Sequence, residues 1–127
     1  MKFTLIALLS LLFGACQPSD FVKTIPAEEF AQYITEEGVQ LLDVRTPEEF
    51  EAGHIEGAVM IDYRTDPEGF VQKVEEQLQK DKPVALYCRG GRRSHMAAEL
   101  LHKAGFKELV ELQGGIQAWQ EAEKPTE

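Results

Sequence analysis

Histidine, cysteine and tryptophan are scarce in this chain of 127 residues, which holds three, two and one of them. Basic residues are also in short supply, with 13 Lys and Arg against 22 Asp and Glu, a formal net charge of −9. A surface of that sign excludes nucleic acid and anionic lipid as partners for the molecule as a whole, so any anion must be held locally. None of the three histidines stands in an obvious base position. Internal repeats and low-complexity tracts are absent, and the length allows one domain at most. What is present, 43% hydrophobic residues, suffices for a packed core and argues against disorder.

The mostly apolar run Phe3 to Phe13 is too short to cross a bilayer. Its eleven residues would reach only about 16 Å as helix, against a hydrocarbon core of roughly 30 Å. With Lys2 before it and small residues after it, the run reads as a signal peptide over residues 1–15. The ending "LFGAC" resembles a bacterial lipobox, with Phe13 where leucine is usual. On this reading Cys16 is lipidated and residues 16–20 form a tether. The protein is then exported and sits on the periplasmic face of a bacterial membrane as a lipoprotein, touching it through the N-terminal lipid only. More than one acyl chain would make that attachment stable; secretion with ordinary cleavage nearby is the alternative. Two cysteines in an exported protein first point to a disulfide. Lipidation of Cys16 would remove that option and leave Cys88 as a free thiol.

From Phe21 onward, short apolar runs alternate with amphipathic stretches. "FVKTI", "VQLLDV", "AVMIDY", "PVALYC" and "ELVEL" read as strands, the first of them an edge. "PAEEFAQYITEEG" reads as a helix with Pro26 in its first turn and Gly38 as its stop. "TPEEFEAG" is a helix with Thr46 as N-cap and Pro47 as first residue. "DPEGFVQKVEEQLQ" follows the third strand, "SHMAAELLHKAGF" the fourth, and "GGIQAWQEAEK" closes the chain with a helix buried through Ile116 and Trp119. The alternation predicts an α/β domain over residues 21–124, with a mainly parallel five-stranded sheet and helices on both faces. In such sheets ligands sit beyond the carboxyl ends of the strands, and Cys88 ends the most apolar strand.

The loop "CRGGRRS" after that strand runs against the acidic background. Three of the five arginines, Arg89, Arg92 and Arg93, lie within five residues of Cys88. Gly90 and Gly91 permit backbone conformations closed to other residues, so successive N–H groups can face one point as an anion nest. Ser94 is the expected N-cap of the following helix, whose positive end faces the same point. Such surroundings favour the thiolate, the attacking form of cysteine, without a partner base. The arginines carry fixed charge and forked donors suited to oxyanions. Arg93 is expected to face the site, Arg92 to line its mouth, and Arg89 to point away toward an acid. Three solvated surface charges are the bland alternative.

These features together resemble the single-domain rhodaneses, the sulfurtransferase family. "CRGGRRS" is similar to that family's Cys-x-x-Gly-x-Arg-Ser loop. "LLDVRTPEEFEAGHIEGAVMI" resembles its first signature, and "LQGGIQAW" its closing Gly-Gly-x-x-x-Trp element; the three keep order and spacing across nearly all of residues 21–124. The resemblance implies the rhodanese fold and a double displacement. Cys88 takes sulfane sulfur from a small anionic donor such as thiosulfate, holds it as a persulfide, and passes it to cyanide or a thiol, possible acceptors including a periplasmic thiol protein. Arg89, Gly90, Gly91, Arg92, Arg93 and Ser94 would bind the donor, and no metal or organic cofactor is called for. One alternative is a persulfide-carrying or partner-binding module with little turnover alone. Another is arsenate or phosphate chemistry, for which related domains carry one more residue between cysteine and arginine than the four seen here.

Several further residues read as structural. Asp43 and Arg45 belong to the scaffold, with Asp43 a candidate partner for a loop arginine. His54 fixes a Gly-His-Ile turn, His95 is expected at the solvent surface, and Gly114, Gly115 and Trp119 serve packing and the start of a helix. Glu56 stands where relatives often have proline. The segment "DYRTDPEG" also departs from the family pattern, and Arg64 within it is a candidate for an extra anion contact.

Overall fold

The structure, a computed structural model, describes residues 21–127. The signal peptide over 1–15, the tether over 16–20 and lipidation at Cys16 lie outside the described residues. Five strands and five helices alternate: β1 Lys23–Ile25, α1 Ala27–Tyr33, β2 Gln40–Asp43, α2 Pro47–Ala52, β3 Val59–Met60, α3 Pro67–Gln77, β4 Val84–Tyr87, α4 Arg92–Lys103, β5 Leu109–Leu112 and α5 Gly115–Glu121. All strand pairs are parallel, in the order β1-β5-β4-β2-β3. The sheet is wholly parallel, with β1 at one edge as its sequence predicts.

Strands buried on both faces should read as continuous apolar runs, and β4 (VALY) is buried at every position. One face of the sheet packs Leu42, Val44 and Leu86 against Phe70 and Val74 of α3 and Ala97, Ala98 and Leu101 of α4. The other packs Leu41, Ala85 and Tyr87 against Phe30 of α1 and Ile116 and Trp119 of α5. Because both faces are covered, the open carboxyl end of β4, the central strand, is where a ligand can approach.

Three boundaries differ from the sequence reading, each for a local reason. Helix α1 ends at Tyr33, ahead of Gly38, because Thr35 turns its hydroxyl back onto the Gln32 carbonyl at 2.7 Å. Strand β3 is only two residues long: Asp62 accepts from the Arg64 and Thr65 amides and the Thr65 hydroxyl, bending the chain into a turn. Helix α4 starts at Arg92 and is capped by Gly91, three residues before the expected cap, Ser94. Gly91 takes the left-handed conformation (φ 116°) that turns the backbone early, and the Ser94 hydroxyl is engaged elsewhere.

Candidate active site

Cys88 follows β4 directly and its side chain is almost fully buried, at 1% exposure. The Gly91 N–H points at Cys88 Sγ from 3.0 Å, a donor aimed at the sulfur by the left-handed turn. On the inner side, Cys88 Sγ lies 3.6 Å from Ser94 Oγ. Above the sulfur opens a cavity of about 530 Å³ lined by Glu49, Arg64, Cys88, Arg89, Gly90, Arg92 and Arg93. Four of the five arginines therefore line one cavity in a protein of net charge −9. The structure brings Cys88, the three loop arginines and Arg64, the candidate extra anion contact, to one cavity.

The role of each arginine is more specific than the spacing shows. Arg93 reaches from α4 to Glu49 of α2, with Nη1 and Nη2 each donating to a carboxylate oxygen at 2.8 Å. Its fork is thus occupied by a carboxylate of the protein. Arg89 was expected to seek an acid, but it has no carboxylate partner among the described residues. It is exposed and separates the main cavity from a smaller one of about 240 Å³ bordered by Arg45, Gly53, Gln117 and Gln120. Arg92 and Arg64 are also exposed and lie at the mouth.

Glu49 escapes a reading of the sequence, where it is only one acid in the first turn of α2. It closes a capping box with Thr46 and also clamps Arg93. The Arg93 guanidinium holds its carboxyl down to about 2; partial burial opposes this, and the Thr46 amide and hydroxyl assist it. Asp43 is not the partner of a loop arginine. It is fully buried, and Arg45 two residues on takes it through Nε at 2.9 Å and Nη2 at 2.7 Å. Arg45 also donates to the Gly53 carbonyl at 2.8 Å, so the pair fastens the end of β2 to the Gly53–Ile55 turn. Tyr87 completes that support: its hydroxyl accepts from the Ile55 N–H at 3.1 Å. Burial, with Asp43 nearby, pushes this phenol well above its ordinary range. In the same turn His54 Nδ1 contacts the Phe50 carbonyl at 2.9 Å and its ring stacks on Phe50.

The loop is also held from behind. The Ile116 N–H donates to the Cys88 carbonyl at 2.9 Å and the Gln117 N–H to the Arg89 carbonyl at 3.2 Å. Gly114 and Gly115 both have positive φ, and a Cβ on Gly115 would come within 2.3 Å of the Arg89 carbonyl oxygen. Only glycine allows α5 to start so close to the loop. His95, expected in solvent, is half-exposed and its Nδ1 lies 2.9 Å from Oε1 of buried Glu111.

A parallel sheet with a cysteine loop at the end of its central strand defines a class, and the sequence places the chain in it. The family model of the rhodanese-like domain matches residues 26–122, and the chain belongs to that family. Over 98 residues it is 41% identical to an uncharacterized protein of Bacillus subtilis, YqhL, covering 77% of this chain and 72% of that one. It is 36% identical to the putative sulfur carrier protein YrkF of the same organism, over 77% of this chain and 51% of YrkF, so it spans about half of that relative. Among solved structures, the crystal structure of the Alr3790 protein from Anabaena sp. superposes with a TM-score of 0.72 at 30% identity, covering 81% of each chain.

Proposed function

We propose that the protein is a sulfurtransferase working through a Cys88 persulfide. The observation that carries this reading is the buried sulfur beneath a four-arginine cavity, with the Gly91 amide aimed at it. The Cys88 thiolate attacks the outer sulfur of a donor such as thiosulfate. The donor's S–S bond breaks and sulfite leaves with the bonding pair. The terminal sulfur, now anionic, is stabilised by backbone N–H groups fixed before reaction. Attack by cyanide or a thiolate on that sulfur then returns Cys88 as thiolate. Arg64, Arg89 and Arg92 hold the anionic donor with their free forks.

Intact mass after incubation with thiosulfate tests the reading. A gain of one sulfur, about 32 Da, is expected in the wild-type chain and not in Cys88→Ser; no gain with thiosulfate, thiosulfonate or polysulfide would overturn it.

A persulfide carrier with slow turnover of its own is the second reading, favoured by the near-complete burial of Cys88 and by the name of YrkF. It requires steady-state turnover to rise only when a thiol protein is added. Arsenate or phosphate chemistry has less support, because the fork of Arg93 that would clasp a tetrahedral anion is taken by Glu49. The lipobox resemblance further supports anchoring through Cys16 on the periplasmic face of a membrane. Cys16→Ser should then move the protein from the membrane to the soluble fraction, and unchanged retention would refute the anchor.

A further inference from the structure

Two cavities adjoin at the cysteine loop, and the reaction above uses only the larger. The smaller lies between the end of α2 with Gly53, Arg89 of the loop, and Gln117 and Gln120 of α5. Glu49 and Arg89 border both cavities, so one molecule can extend from the first into the second. At about 240 Å³ the smaller cavity falls below the roughly 300–1,000 Å³ that encloses a whole drug-sized ligand. It suits one arm of a molecule whose reacting part lies above Cys88.

Not every group on its wall is free to bind. Arg45 spends its donors on Asp43 and on the Gly53 carbonyl. Glu49 gives both carboxylate oxygens to Arg93. Ile116 is buried and supplies an apolar floor. The exposed polar side chains that remain are Arg89, Gln117 and Gln120. Gln117 and Gln120 stand three residues apart on α5, so both project from one face of the helix. Gln117 also reaches the loop. Its Oε1 lies 3.5 Å from where a Cβ on Gly90 would sit, and its N–H donates to the Arg89 carbonyl at 3.2 Å.

These groups define the ligand. A guanidinium selects a carboxylate through its forked donors. A primary amide donates and accepts at once, which matches the N–H and C=O of a peptide group. Cyanide offers neither feature. A short cysteine-containing peptide offers both and also carries a thiol to place above Cys88.

We propose that the smaller cavity is an acceptor subsite for the peptide arm of a cysteinyl thiol, with its carboxylate on Arg89 and its amides on Gln117 and Gln120. The inference rests on sulfur transfer through Cys88. Arg89 serves the donor first and the arm after sulfite has left, as a double displacement allows. The peptide thiol gives its proton to solvent, and its thiolate attacks the terminal sulfur of the Cys88 persulfide. A new S–S bond forms on the peptide, the bond to Cys88 Sγ breaks, and the bonding pair stays on Cys88. Cys88 is reduced to thiolate and the peptide is oxidised to a persulfide, so no further oxidant or reductant enters.

N-Acetylcysteinylglycine, which carries a thiol, two amide groups and a carboxylate, is the probe, and its glycinamide analogue lacks only the charge. With thiosulfate as donor, the full chain should favour the carboxylate form in kcat/KM by about tenfold, one charge-assisted contact, although the net charge of −9 opposes it. Arg89→Gln should abolish that preference, and a preference that survives would overturn the subsite. Gln117→Ala with Gln120→Ala should lower the ratio of kcat/KM for the peptide to that for cyanide by about tenfold; an unchanged ratio would also overturn it. The S-methyl peptide, which cannot react, separates binding from transfer. NMR of the unloaded full chain should show saturable shifts of the Gln117 and Gln120 side-chain amides, assigned by their loss in the two variants. Shifts without loading of Cys88 by thiosulfate would refute sulfur transfer and leave a peptide site standing. Loading without shifts would refute the subsite and leave sulfur transfer standing.

Discussion

Two arginine–carboxylate pairs, alike in chemistry, occupy opposite situations in this molecule. Arg45 and Asp43 are two residues apart, 5% and 0% exposed, and bind a turn of their own neighbourhood. Arg93 and Glu49 are 44 residues apart, 13% and 25% exposed, and close one wall of an open cavity. The first pair is almost wholly buried and its donors are spent on Asp43 and the Gly53 carbonyl, although Arg45 borders the smaller cavity. The second presents its charges to whatever occupies the cavity, and its geometry decides which guanidinium groups remain free. Burial separates a structural ion pair from one that shapes a binding site.

Removing one partner of each pair sharpens the contrast. Asp43→Ala strands a buried guanidinium, and chemical denaturation should show a loss of about 3–5 kcal/mol. A loss within 1 kcal/mol would mean that Arg45 finds water or another acceptor. Glu49→Gln should cost less, about 1 kcal/mol or below, as expected of a partly exposed pair. Its larger effect falls on binding: the released Arg93 fork should tighten inhibition by phosphate on the order of tenfold, one charge-assisted contact. Unchanged inhibition would show that Arg93 stays turned from the cavity without Glu49.

The smallest effect is in the pH dependence. The Glu49 carboxyl is lowered from an ordinary 4.5 to about 2, so its contribution to stability is fully present above 4.5 and is lost as pH falls through about 2. The stability gap between wild type and Glu49→Gln should therefore be constant from neutral pH to about 4.5 and close near pH 2. A gap already closed at pH 4 would place the carboxyl in its ordinary range.

The alternation of runs and the coincidence of Cys88, two glycines and three arginines made the sheet and the candidate loop legible in the sequence. Neither local pattern nor spacing could supply the pairings. Glu49 sits where an acid is already explained by the start of a helix, so its reach to Arg93, across 44 residues, is invisible until α2 and α4 meet. Asp43 reads as a candidate partner for a loop arginine, whereas its partner is Arg45 two residues on, a pairing that no helical or strand spacing announces. Glu111 did leave a trace: a single acid inside "LVEL", a strand buried at all four positions, requires partners that sequence alone does not name. The cap of α4 was missed because a left-handed glycine competes with serine for that place, and the serine hydroxyl had other work.

The contact between Gly115 and the Arg89 carbonyl limits what this scaffold can become. With α5 pressed against the back of the loop, a side chain at Gly115 would push the Cys88 and Arg89 carbonyls, and the loop with them, out of place. A larger anion therefore cannot be accommodated by widening the loop alone; the last helix would have to retreat with it. The side chains open to change are those of the front wall, Arg64, Arg89 and Arg92, which are exposed and face the cavity.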